Sequence, residues 1–219
     1  MRGGGREVVT LDGPAASGKS TVARRVAEAL EVPFVSSGLL YRAATELALR
    51  AGVDPGAESE LASLLHGHEV RLEPGREADR VYVQDEDVTH RLHADAVDAA
   101  VSEVAAHPRV RAWVNARLRE IEGPFVIDGR DMGRDVFPDA YAKFFLTARP
   151  EIRAARRVGE RAADLDTVTE MMRRRDAGDV RQSGPAPDAV RIDTSDLNLD
   201  EVVDTVLAYV AERRADAAT

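Results

Sequence analysis

The sequence predicts an α/β protein with a doubly wound core around a parallel sheet. Three observations carry that expectation. Solid apolar runs such as PFVID and AKFFLTA suit parallel strands covered on both faces. Segments with apolar residues at helical spacing alternate with those runs. Between them, residues 68 to 92 (HEVRLEPGREADRVYVQDEDVTHRL) switch to apolar–polar alternation around Pro-Gly, the pattern of a half-exposed antiparallel hairpin or three-stranded meander.

Taken in order, REVVTLDG is a short β-branched run ending in Asp-Gly, read as a buried strand. From Lys19 to Leu30, Val22, Val26, Ala29 and Leu30 recur at helical spacing, and Pro33 is expected to close the helix. PFVSSG is a second strand. LLYRAATELALRAG is an amphipathic helix stopped by Gly52. After the alternating segment come helices over Ala94–Ala106 and Arg109–Ile121, separated by His107-Pro108. PFVID and AKFFLTA return to the core pattern, and an arginine-rich helical stretch runs from Glu151 to Arg175. AVRID is the last strand. In the final helix, NLDEVVDTVLAYVAERR, Asn198 and Glu201 have capping-box spacing. Residues 38 to 122 read as an insert and 151 to 181 as a smaller one. The core is then 1–37, 123–150 and 182–219.

Composition narrows the classes. The chain has 219 residues, 44% hydrophobic and 32% charged, enough to bury a core in one domain with inserted subdomains. Its net charge of −9 argues against indiscriminate nucleic-acid binding. Without cysteine there is neither a disulfide framework nor a thiolate metal site. His66 and His68 flank Gly67 at an expected helix end, and an ordinary solvated loop is favoured there over metal ligation. MRGGGREVV lacks the apolar stretch of a signal peptide, and no run approaches the ~18 apolar residues of a membrane span. A cytoplasmic protein with no membrane partner is expected.

The chain has two lysines, Lys19 and Lys143, against 28 arginines. Lys19 lies in GPAASGKST, which fits G-x-x-x-x-G-K-[ST] between a predicted strand and a predicted helix. Gly13, Pro14, Ala15, Ala16, Ser17, Gly18, Lys19, Ser20 and Thr21 therefore form the expected ATP-binding loop of a three-layer P-loop NTPase core. Glycines let the backbone approach an anion, and successive N–H groups and the helix N-terminus face the phosphates. A slim ammonium threads between β- and γ-phosphates where a planar guanidinium needs more room. The Ser20 hydroxyl is the expected ligand of Mg²⁺ bound with ATP.

Two further stretches lie at strand ends, where open α/β sheets bind ligands. SSGLLYRA places Ser37, Gly38, Tyr41 and Arg42 there, and VIDGRDMGRDVFPDA places Asp128, Gly129, Arg130, Asp131 and Gly133. A plain turn with a surface Asp–Arg pair is the alternative for the second. In RAARR, Arg153 and Arg157 share a helix face, with Arg156 beside them. They are read as lid arginines closing over phosphates, an ordinary charged face being the alternative.

The blocks DGPAASGKST, SSGLLYR, SEVAAHPRVR, IDGRDMGRDVFPDA, FFLTA and AVRIDTSDL, in this order over residues 7 to 212, resemble the bacterial-type cytidylate (CMP) kinase family. The resemblance implies an ATP-binding core, a monophosphate-binding insert enlarged by a small β-sheet, a helical lid and a monomer acting on ATP and CMP or dCMP. It implies that Arg42 and Arg130 hold the monophosphate, and that Ser102, Arg111 and Asp131 line the nucleoside pocket. Arg175 and Asp179 carry over to ribose and phosphate contacts and Arg181 to the cytosine. This chain has Arg175-Asp176-x-x-Asp179-x-Arg181 where the family pattern is one residue longer. Arg134-Asp135 also replace small or apolar residues common there. Without the resemblance, a solvated helix face is the favoured reading of the arginines of HPRVRAW.

The expected reaction is in-line transfer to a phosphate oxygen already ionised at neutral pH, so no general base is needed. Lys19, Arg130, Asp131 and Arg157 are the expected catalytic set. Other acceptors (UMP, AMP or a non-nucleotide such as shikimate) and a non-enzymatic nucleotide sensor are the rival readings of a phosphate loop alone.

Overall fold

The structure is a computed structural model and describes residues 7–75, 78–160 and 184–217. The chain divides into two compact units, 1–34 with 123–219, and 35–122.

The first unit is built on a five-stranded sheet in the order β2-β6-β1-β7-β8. β1 is Val8–Asp12, β2 Phe34–Ser36, β6 Phe125–Gly129, β7 Ala142–Thr147 and β8 Val190–Asp193. β1 pairs in parallel with β6 and β7, and β7 with β8. Every residue of β1 and β6 is buried, as uninterrupted apolar runs predict for central parallel strands. The register sets Asp12 opposite Gly129 and Thr147 opposite Asp193, which aligns the carboxyl ends of these strands.

One face of the sheet is covered by α1 (Lys19–Ala29) and α7 (Leu199–Ala217). Val22, Ala23, Val26 and Ala27 of α1 and Val202, Val203, Val206 and Val210 of α7 pack with Val9, Leu11, Phe144 and Leu146. Truncating a leucine in such a core costs about 2–5 kcal/mol. The predicted capping box forms: the Asn198 amide donates to Glu201 Oε2 at 2.8 Å and the Glu201 amide to Asn198 Oδ1 at 3.0 Å. α1 stops before Pro33, where the Leu30 and Glu31 amides close on the last turn and Glu31 takes φ 57. Met132–Val136 forms a π-helical turn and α6 is Pro150–Glu160.

The second unit is centred on α2 (Gly38–Ala51), which ends at Gly52 with φ 69 as the sequence suggests. The expected one-sided helix is instead buried on most of its surface, because α3 (Glu58–His66), α4 (Asp95–Val104), α5 (Pro108–Arg119) and the small sheet all pack on it. Pro108 takes the first helical position of α5, where its missing N–H costs nothing. β3 (Val70–Glu73), β4 (Arg80–Val83) and β5 (Glu86–Asp87) form the antiparallel meander, with Val70, Val81 and Val83 buried. His66 and His68 each donate Nδ1–H to a carbonyl of α3, Ala62 and Leu64. Among the described residues no three acidic or imidazole groups gather as for a metal.

Candidate active site

The loop 13–18 leaves β1 and enters α1. At Gly13, with φ 154, a Cβ would run into the Leu146 carbonyl of β7, so the loop and the sheet edge can approach this closely only with glycine. Gly18, at φ 89, turns the chain into the helix. α1 has no side-chain cap and no acidic residue in its first turn, so its leading N–H groups and dipole are left for an anion. Lys19 folds back over the loop and donates to Pro14 O at 3.2 Å. Ser20 Oγ donates to Asp128 Oδ2, which joins the start of α1 to the end of β6.

The outward carbonyls of the loop are held from α6 and from Thr194 after β8. Arg153 Nη1 donates to Ala15 O at 3.2 Å, and Thr194 Oγ1 to Ser17 O at 3.2 Å. Arg156 reaches Ser17 O at 3.4 Å, Thr194 Oγ1 at 3.0 Å and Thr194 O at 2.8 Å. Arg153 and Arg156 thus grip loop backbone in this structure. The side chain of Arg157, with Arg175, Asp179 and Arg181, lies outside the described part of the chain.

Beside the loop, Asp12 fixes the turn that carries Arg130 and Asp131. Its Oδ1 accepts the Met132 amide at 2.9 Å and its Oδ2 the Gly133 amide at 2.8 Å. Only 3% of Asp12 is exposed. Burial lifts its pKa from 3.8 to about 6; the two amides oppose the rise, Asp131 adds to it and Lys19 lowers it. Asp131 is also buried, and Arg130 is half-buried. At Gly133 a Cβ would press on Thr10 Oγ1 and the Lys143 stem, so the turn closes onto β1 and β7 only without a side chain. Arg134 and Asp135, unexplained by the sequence blocks, form a bidentate pair with each other at 2.9 and 2.8 Å. Partly exposed neighbours of this kind contribute about 0–1 kcal/mol.

In the second unit, Ser37 is buried ahead of α2, and Tyr41 and Arg42 lie on its first turns. Arg42 pairs with Asp98 Oδ1 of α4 at 2.6 Å and donates to Leu92 O at 2.7 Å. The Arg111 guanidinium of α5 stands 5.8 Å from the centre of the Tyr41 ring and donates to Ala105 O at 3.4 Å. Ser102 is exposed on α4. Tyr41, Arg42 and Arg111 are therefore assembled by helices α2, α4 and α5 within one unit. Asp98 was not foreseen. Its only sequence signal is Asp95 and Asp98 in the first turn of a helix, where acids suit the dipole and need no further explanation.

The sequence profile of the cytidylate kinase family matches residues 9–212. The chain belongs to the cytidylate kinase family. It is 58% identical over 205 residues to the cytidylate kinase of Thermus thermophilus, covering 94% of this chain and 99% of the relative. To that of Deinococcus radiodurans it is 53% identical, covering 94% and 100%. To that of Geobacillus kaustophilus it is 44% identical, covering 94% and 96%. Among solved structures, a gluconokinase from Sinorhizobium meliloti matches over 97% of this chain and 96% of its own with a TM-score of 0.52 and 18% identity, a likeness of fold alone. Membership confirms the family and the class of enzyme expected from the sequence blocks, an ATP-dependent nucleoside monophosphate kinase. Among the described residues no helix is long and apolar enough to cross a membrane.

Proposed function

We propose that this member of the family transfers the γ-phosphoryl group of ATP to CMP or dCMP, giving ADP and CDP or dCDP. The observation that carries the reading is the uncapped start of α1, with Lys19 folded over the loop and Ser20 bonded to Asp128. Loop residues Gly13 to Thr21 hold the ATP phosphates, and Lys19 neutralises charge on the transferred group. The acceptor oxygen is already ionised, so positioning and charge compensation supply the catalysis and no side chain acts as base.

On the acceptor side, Arg42 and Arg130 take the monophosphate, and Ser37, Gly38, Tyr41, Ser102, Arg111 and Asp131 shape the nucleoside pocket. Cytosine offers acceptors at O2 and N3 and a donor at N4, which a guanidinium and a carboxylate or hydroxyl can read; uracil reverses the pattern at N3 and position 4. Arg175, Asp179 and Arg181 extend that pocket, and Arg157 joins the lid role. The units 38–122 and 151–181 serve as acceptor-binding insert and lid, and 1–37, 123–150 and 182–219 as ATP-binding core.

The pair of Ser20 hydroxyl and Asp128 carboxylate fits Mg²⁺, a hard cation that takes one or two protein oxygens and completes its shell with phosphate oxygens and water. When bound with ATP, Mg²⁺ supplies charge neutralisation at the phosphates. The protein acts as a cytoplasmic monomer on small molecules, with no nucleic-acid or membrane partner. A coupled ADP-release assay across CMP, dCMP, UMP and AMP tests the assignment. CMP and dCMP are expected to give the highest kcat/KM; a higher value for UMP or AMP refutes it.

A further inference from the structure

We infer that Thr194, held by Arg156, is a positioning residue that latches the phosphate loop in its anion-binding form through the Ser17 carbonyl. The inference rests on the proposed use of the loop for the donor phosphates.

The reasoning starts from the planarity of the peptide group. In a trans peptide the C=O and the following N–H point opposite ways. Fixing a loop carbonyl on the outside therefore fixes the next N–H on the inside. Lys19 Nζ and the Ser17 amide hold Pro14 O, which orients the Ala15 N–H. Arg153 holds Ala15 O, which orients the Ala16 N–H. The Ser17–Gly18 peptide can flip at little steric cost, because Gly18 sits at φ 89 and carries no side chain to oppose rotation. Its carbonyl is the one that Thr194 and Arg156 hold.

The hydroxyl of Thr194 has one proton and two acceptors in reach, Ser17 O at 3.2 Å and Thr147 O at 3.0 Å. Thr147 O already receives the Thr194 amide at 2.8 Å. Among the described residues, Ser17 O otherwise has only the 3.4 Å contact from Arg156. The proton satisfies more hydrogen-bonding capacity at Ser17 O, and the oxygen lone pairs remain for Arg156 Nη1 at 3.0 Å. Arg156 completes its fork on Thr194 O at 2.8 Å.

Thr194 is itself well placed for this. It is 3% exposed, and the residues around it are tied down. Asp193 Oδ1 accepts from the Ser195 amide and hydroxyl, Ser195 Oγ accepts the Arg149 amide, and Asp196 takes the Arg149 guanidinium at 2.8 and 2.7 Å. The segment after β8 is thus anchored to the start of α6, which carries Arg153 and Arg156.

Thr194→Val keeps the shape and removes the hydroxyl; Thr194→Ser keeps the hydroxyl. Binding of ADP with Mg²⁺, measured by calorimetry with no monophosphate present, is expected to weaken about tenfold in Thr194→Val and to stay within about twofold of wild type in Thr194→Ser. KM for CMP is expected to stay within about twofold in both. Wild-type ADP affinity in Thr194→Val overturns the latch. Equal losses of ADP affinity and CMP use, unrestored by serine, also overturn it, since they mark general loosening. Because ADP binding is read without an acceptor, a wild-type protein that fails to phosphorylate CMP sinks the proposed reaction and leaves the latch standing on its own measurement.

Discussion

Asp12 offers a sharp test because its burial and its two amide partners pull in opposite directions. Its pKa rises from 3.8 to about 6, chiefly through burial. At 1.36 kcal/mol for each tenfold change in proton affinity, that gap corresponds to about 3 kcal/mol. The sign follows from proton counting. Between about pH 4 and pH 6 the folded protein keeps a proton that the unfolded chain has released, so stability falls as pH rises through this window and levels off above it. Asn at position 12 does not titrate. It offers one acceptor oxygen for the Met132 and Gly133 amides, where the carboxylate offers two.

The measurement is urea unfolding of wild type and Asp12→Asn from pH 3.5 to 7.5. Taking the difference between the two cancels the titration of other acids, including Asp188, Asp193 and Asp196, whose carboxyls are held low by their donors. Wild type is expected to lose about 3 kcal/mol relative to the variant between pH 4 and pH 6.5. A difference that stays flat, or that moves in favour of wild type with rising pH, refutes the reasoning. Asp131→Asn supplies an internal check: it removes a charge that raises the Asp12 pKa, so the span of the change should shrink.

Lys19→Ala is expected to lower kcat by at least about 10²–10³ with an unchanged unfolding midpoint, and Lys19→Arg to recover less than a tenth of the wild-type rate; steady-state ADP release checks both. Arg111→Ala should raise KM for CMP at least about tenfold while leaving KM for ATP unchanged, since Arg111 packs over Tyr41 within the 35–122 unit. Lys143, 7% exposed, donates to Pro138 O at 2.5 Å and to Asp188 at 2.8 and 3.0 Å. Lys143→Met should cost about 1–3 kcal/mol in urea unfolding at pH 7. The Asp188 part of that cost needs an ionised carboxyl, which Lys143 holds below its usual pKa, so the gap between variant and wild type should narrow as pH falls below about 4.

What the sequence reveals about this fold follows the range of the interaction concerned. The strands of the sheet, the Gly52 stop and the Asn198–Glu201 box depend on residues within a few positions of one another and were legible. The end of α1 at Ala29 agrees within one residue with the expected Leu30, but the turn that closes it, with Glu31 in the left-handed region, leaves no compositional mark. Helix α3 was legible only by its end at Gly67; its start was not, although Leu61 and Leu65 bury at i, i+4 behind the first-turn acids Glu58 and Glu60. The π-helical turn at Met132–Val136 was not legible, since its amides are bonded by Asp12, 120 and 121 positions away. The Arg42–Asp98 pair was hidden for the same reason. On α6, helical spacing pairs Arg153 with Arg157; i, i+3 is an equally good neighbour, and among the described side chains Arg153 and Arg156 both donate to loop carbonyls.

The contrast between two lysines and 28 arginines has a common physical basis in these placements. Lys19 reaches across its own loop to Pro14 O, and Lys143 runs a bare stem past the Gly133 backbone to the Pro138 carbonyl. At Lys143 even a Cβ on Gly133 would crowd the stem, and both lysines end in a compact ammonium. The arginines at the site do the opposite work. Arg156 spreads two nitrogens over Thr194 Oγ1 and O, and Arg153 bridges Ala148 O and Ala15 O. A fork ties two segments together at fixed angles, which a rotatable ammonium does not set. Lysine is therefore retained where the charge must pass through a gap, and arginine serves where backbone must be clasped from outside. Exchanging them should fail in both directions for opposite reasons, steric at Lys19 and geometric at Arg156.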